Sequence, residues 1–119
     1  MTGKRPSILV VDDDEAFRYA ATKALQNAGY IVAAASDFRE ALEVLDSDAP
    51  LDLLITDIVM PERIHGFALA RMARLRRTGL KVLYLTVYDV PTSWAAGKVL
   101  RKPLGDEQLI EEARLAMAS

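Results

Sequence analysis

The sequence predicts an α/β protein, a doubly wound parallel sheet with helices packed on both faces. Two observations carry that expectation. Five short, mostly apolar runs recur along the chain, as strands buried on both faces do. Between them lie stretches whose apolar residues fall at helical spacing, and such alternation winds by right-handed crossovers into a layered sheet. A length of 119 residues suits one domain around one core, so residues 1–119 are expected to form a single domain.

The first strand is Ser7 to Val11. Phe17, Ala21, Ala24, Leu25 and Ala28 then share one face of a helix that stops at Gly29. Ile31 to Ala35 is the second strand, and Phe38, Ala41, Leu42 and Leu45 mark a second helix ending before Pro50. Leu51 to Thr56 follows as the third strand, with Gly66, Leu69, Ala70 and Ala73 on a third helix that ends at Thr78-Gly79. Lys81 to Leu85 and Lys98 to Arg101 complete the sheet, and Leu109, Ala113 and Ala116 mark a last helix after Pro103 and Gly105.

Charge and composition exclude several classes of partner. Lys and Arg number 15 against 17 Asp and Glu, a net charge of −2, which offers no general attraction to nucleic acid or anionic membrane. The absence of cysteine rules out disulfides and thiolate metal sites. No signal-type apolar segment opens the sequence, and no apolar run approaches the roughly 18 residues of a membrane span. A cytoplasmic protein is expected.

The stretch "VVDDDEAF" ends an apolar run in four consecutive carboxylates. Two such charges about 4 Å apart repel by roughly 1 kcal/mol in water and roughly 4 kcal/mol at a protein-like dielectric, so the cluster calls for a counterion. In a doubly wound sheet, ligands sit at the carboxyl ends of the strands. Asp12 and Asp13 follow the first strand, Asp57 the third and Lys102 the fifth, while Thr86 ends the fourth. Three carboxylates, a hydroxyl and a lysine are thereby expected on one rim. Such oxygens suit Mg²⁺, and an oxygen of Asp57 is then a nucleophile for phosphorus. Lys102 supplies charge neutralisation, and the Thr86 hydroxyl is a donor.

Structural roles account for other conspicuous residues. Asp14 and Glu15 suit the start of the first helix. His65, the sole histidine, lacks a second imidazole with which to build a metal site and reads as an exposed loop residue. Arg71, Arg74, Arg76 and Arg77 read first as a solvated helix end and second as a docking patch for an acidic partner. Met72 and Met117 read as packing.

"ILVVDDDEAFR", "LDLLITDIVMP", "VLYLT" and "VLRKPL", in that order and at matching strand ends, resemble the receiver domain of two-component response regulators over nearly the whole chain. The resemblance implies a flavodoxin-like sheet of order 2-1-3-4-5. It implies that Asp57 is the phosphoacceptor, Asp12 and Asp13 metal-binding acids, and Val59 a backbone carbonyl ligand to Mg²⁺. Thr86 is implied as the switch hydroxyl and Lys102 as the phosphate-pairing lysine. The implied donor is a sensor histidine kinase or phosphotransfer protein.

Three departures from the family pattern are visible. Thr86 and Lys102 are only sixteen positions apart, which predicts a fourth helix truncated to a turn or two over Pro91 to Ala96, or missing. Val99 stands where the family usually places a switching aromatic, leaving Tyr84, Tyr88 and Trp94 as the nearby rings. "MPERIHG" has one more residue than the usual loop. Val59, Val87 and Tyr88 put bulky groups around the acceptor, which predicts slow loss of the phosphoryl group.

The sequence is read as ending at Ser119 without an output domain, and the expectation is a stand-alone receiver, a monomer or weak homodimer. It would catalyse only its own phosphorylation and dephosphorylation, and would signal to a downstream protein by contact or onward phosphotransfer. The alternatives are a degenerate receiver acting as a phosphorylation-independent scaffold, or a Mg²⁺-dependent aspartyl-phosphate hydrolase using Asp12 and Asp14.

Overall fold

The computed structural model describes residues 5–59, 66–89, 93 and 95–119. Its strands are β1 (Ser7–Val11), β2 (Ile31–Ala35), β3 (Leu53–Asp57), β4 (Lys81–Thr86) and β5 (Lys98–Arg101). All neighbouring pairs are parallel, in the order β2-β1-β3-β4-β5, so the doubly wound, flavodoxin-like expectation holds. Helices α1 (Glu15–Asn27), α2 (Phe38–Leu45), α3 (Gly66–Arg76) and α4 (Asp106–Ala118) connect and flank them.

Alternate residues of the central strands feed two apolar layers. Ile8, Val10, Leu53, Ile55, Leu83 and Leu85 point to α1 and α4, meeting Ala21, Leu25, Leu109 and Ala113. Leu9, Val11, Leu54, Val82 and Tyr84 point the other way, to Ala41 and Leu45 of α2 and Leu69, Ala70 and Ala73 of α3. β1 and β3 are buried along their whole length.

Two expectations need correction. β2 and β5 are not buried on both faces: they are the sheet's edges, and Ile31, Val32, Lys98 and Arg101 are at least partly open to solvent. β3 runs from Leu53 to Asp57 rather than from Leu51 to Thr56. Leu51 extends the apolar run in sequence, but the strand opens only at Leu53; just ahead of it Asp52 joins β1 twice, its N–H donating to the Ser7 carbonyl and its carboxylate accepting the Ser7 N–H, both at 2.8 Å. Asp57 is accordingly the last residue of the strand and not the first after it.

Local chemistry sets the helix ends. Asp14 caps α1, its side chain accepting from the N–H groups of Ala16 and Phe17, and Gly29 leaves the helix at φ 103°, a conformation that favours glycine. Asp37 caps α2, while the Glu40 carboxylate reaches back to the Ser36 N–H and hydroxyl, both at 2.7 Å. The arginines at the end of α3 are not all solvated. Arg77 donates to the carbonyls of Leu45, Ser47 and Ala49, and Arg76 pairs with Asp46 at 2.6 Å, so the two tie α3 to the end of α2.

Between β4 and β5 the described residues form turns and bends. Half of the Pro91 to Ala96 stretch, Trp94 included, lies outside the described residues, as do His65 and the Pro61 loop. Gly97 closes the connection against β4: a Cβ there would stand 1.9 Å from the Val82 carbonyl oxygen. Tyr84 is fully buried, edge-on to Phe67 with ring centroids 5.1 Å apart. Its hydroxyl oxygen accepts the Ala96 N–H at 3.0 Å. Val99, paired with Tyr84 in the sheet, is half-buried against the same layer. No described helix is long and apolar enough to cross a membrane.

Candidate functional site

Parallel strands deliver their last residues to one edge of the sheet, where Asp12, Asp13, Asp14, Asp57, Val59, Val87, Tyr88 and Lys102 line a cleft of about 380 Å³. Four of the five side chains expected to converge do so. Thr86 is buried and does not line the cleft. Its hydroxyl oxygen accepts the Tyr88 N–H at 3.0 Å, and its carbonyl accepts from Lys102 N at 2.8 Å.

Asp12 is fully buried and fully engaged. Oδ1 accepts the Asp14 N–H at 2.9 Å, Oδ2 meets the Lys102 ammonium at 2.6 Å, and Arg18 donates to its carbonyl at 2.8 Å. Asp57, 9% exposed, is held loosely. Val59 N–H reaches Oδ1 at 3.4 Å, and the Lys102 ammonium stands 3.7 Å from Oδ2. Burial and then the Asp12 charge push the Asp57 carboxyl up to about 6, against the opposing pull of Lys102 and the Val59 N–H. Asp13, exposed, completes the acidic group: one carboxylate oxygen from each of Asp12, Asp13 and Asp57 lies within 4.8 Å of the others. Crowded oxygens beside water-accessible space, with a carboxyl whose ionised form is disfavoured, fit a small hard dication that retains waters. Val59 is exposed beside them, at the mouth of the cleft.

Sequence reasoning missed two contributors. Phe17 was assigned only to the core face of α1, but Lys102 Nζ lies 4.4 Å from its ring centroid. A helical side chain leans toward the turn before it, here the turn of acids, and that lean was the available signal. Arg101 donates to the Val87 carbonyl at 3.1 Å and to the Asp89 carboxylate, bracing the segment after Thr86. Its partners are a carbonyl and a loop acid, which leave no pattern in sequence.

Strand order, the acids at the ends of β1 and β3 and the lysine after β5 define a receiver. Residues 8–114 match the model of the response regulator receiver domain, and the chain belongs to that family. It is similar to response regulator MprA of Mycolicibacterium vanbaalenii, 38% identical over an alignment of 113 positions that covers 90% of this chain and 48% of MprA. The chain thus spans about half the length of the curated relatives it matches. Among solved structures, Vibrio cholerae chemotaxis protein CheY4 superposes with a TM-score of 0.86 at 30% identity, over 95% of this chain and 99% of that one. A CheY-like receiver domain protein of Methanospirillum hungatei gives 0.88 at 26% identity, over 97% and 95%.

Proposed function

We propose that this receiver accepts a phosphoryl group on Asp57 from a phosphohistidine of a sensor kinase or phosphotransfer protein, in a Mg²⁺-dependent reaction. The supporting observation is the contrast between its two inner carboxylates. Both oxygens of Asp12 are held within 2.9 Å by donors, whereas those of Asp57 have nothing nearer than 3.4 Å and open on the cleft. The same contrast argues against the hydrolase alternative, in which Asp12 would be the nucleophile.

An Asp57 oxygen forms the bond to phosphorus as the N–P bond of the donor breaks, its electron pair staying on the imidazole. Asp12, Asp13, Asp57 and the Val59 carbonyl would hold Mg²⁺, which supplies neutralisation of the phosphoryl oxygens. Lys102 places a second positive charge within reach of the acceptor. Thr86, whose O–H remains available while its oxygen accepts from Tyr88 N–H, donates to the bound group once it turns toward the cleft. That turn alters the Val87 to Asp89 segment, through which the signal passes to a downstream protein by contact or by onward phosphotransfer.

Incubation with Mg²⁺ and a small phosphoramidate donor tests the reading. Wild-type protein gains one phosphoryl mass on a peptide containing Asp57, and Asp57→Asn does not. Label on Asp12, or none at all, contradicts it. Size-exclusion profiles of the same samples report whether the modification changes oligomeric state.

A further inference from the structure

The Lys102 ammonium has three N–H donors on a flexible four-carbon stem. Its side chain is only 12% exposed, so whatever replaces water around it decides where it points. Two of its neighbours are carboxylates, Asp12 at 2.6 Å and Asp57 at 3.7 Å. The third is no acceptor. Nζ stands 4.4 Å from the centroid of the Phe17 ring, within the range in which a ring face attracts a cation.

The position of that ring is not left to chance. Phe17 lies in the first turn of α1, and the Asp14 cap accepts its N–H at 3.3 Å and that of Ala16 at 3.0 Å. The ring packs against the apolar layer that includes Ile8, Leu53 and Leu85. The turn that presents Asp12 and Asp13 therefore also presents Phe17, from the opposite end of the chain to Lys102.

We propose that Phe17 is a positioning residue, whose ring holds the Lys102 ammonium beside Asp57 in readiness for the phosphoryl group. The proposal rests on the reading of Asp57 as acceptor. A carboxylate in place of the ring would add repulsion to three existing acids and cancel the charge that Lys102 brings to phosphate. An aliphatic side chain would desolvate the ammonium and return nothing. The ring attracts the cation while leaving its formal charge unspent and competes for no oxygen of Asp12 or Asp57.

Phe17→Leu, which keeps apolar bulk without the ring, and Phe17→Tyr, which keeps the ring, separate this role from packing. In metal-free protein, the Lys102 ε-methylene proton resonances are expected upfield in wild type and Phe17→Tyr, and near the ordinary lysine position in Phe17→Leu. That spectrum also verifies that each variant is folded. Labelling of Asp57 by the small donor is expected to slow by about three- to tenfold in Phe17→Leu, and to return to within about twofold of wild type in Phe17→Tyr. Equal labelling rates in folded Phe17→Leu and wild type, or an unshifted lysine resonance in wild type, overturn the role of Phe17 alone. A wild-type chain that takes no label overturns the acceptor reading and this proposal with it.

Discussion

Lys102 reaches Asp12 across ninety positions of sequence, Nζ to Oδ2 at 2.6 Å, and the acid it meets has no exposure to solvent. Removing one member of such a pair strands the other charge in a poor solvent. Lys102→Met keeps the length of the stem and drops the charge. It is expected to cost roughly 3 kcal/mol of stability without metal, read as a lower urea midpoint at pH 7. An unchanged midpoint would mean that Asp12 does not depend on the ammonium.

Asp57 has the opposite sign of effect. Its folded-state pKa is raised to about 6 from an ordinary 3.8, so across that window the native state keeps a proton that the unfolded chain has released. Stability from this group is therefore greatest at the acid end, falls as pH rises from about 4 to about 6, and is flat above. Asp57→Asn removes the penalty and is expected to gain roughly 1–2 kcal/mol at pH 7.5 in metal-free buffer. Thermal midpoints of both proteins against pH should converge toward pH 4. Because protons and a dication compete for the same oxygens, Mg²⁺ affinity is expected to weaken below about pH 6.

Gly66 opens α3 against the end of β3, and a Cβ there would stand 2.5 Å from the Asp57 carbonyl oxygen and 3.0 Å from the Ile58 Cα. Neither is the end of a flexible side chain, so Gly66→Ala must displace backbone at Asp57. A loss of roughly 2 kcal/mol is expected, together with weaker Mg²⁺ binding. Gly79→Ala, with nothing within 4 Å of the added carbon, is the control and should leave both unchanged.

Tyr84→Phe deletes the acceptor for the Ala96 N–H while keeping the ring on Phe67. The expected cost is roughly 1 kcal/mol, with faster amide exchange at Ala96. If Tyr84 holds the short β4–β5 connection, residues 95–97 should respond together.

Val59, Val87 and Tyr88 stand exposed around the cleft that holds Asp57. None of them offers an acidic or amide side chain to orient an attacking water, so slow release of the phosphoryl group is expected. Tyr88→Ala should speed it several-fold. Rapid loss of label from wild-type protein in Mg²⁺ would contradict this.

Strand ends were legible because each apolar run stops at a residue that a sheet interior rejects: Asp12, Asp57, Lys102. The start of α1 was legible through its cap, Asp14. The start of β3 was not, since Leu51 continues the apolar pattern two residues ahead of the strand's first residue, Leu53. Edge exposure of β2 was hidden for a similar reason, because "IVAAA" is as apolar as a central strand. At the site, the acids and the lysine could be placed from strand order alone. The cation–π contact of Phe17, the clasp of Arg77 and the turn of Thr86 toward Tyr88 N–H depend on rotamers and backbone acceptors, which side-chain type does not encode.

A sheet whose strands all run one way has a working end and an idle end. Gly79, two residues ahead of β4, sits at the idle end in open space. With no native cysteine in the chain, Gly79→Cys would be its sole thiol. A fluorophore attached there would follow capture of the protein by a binding partner through anisotropy, leaving the opposite end of the sheet untouched and making the receiver its own biosensor.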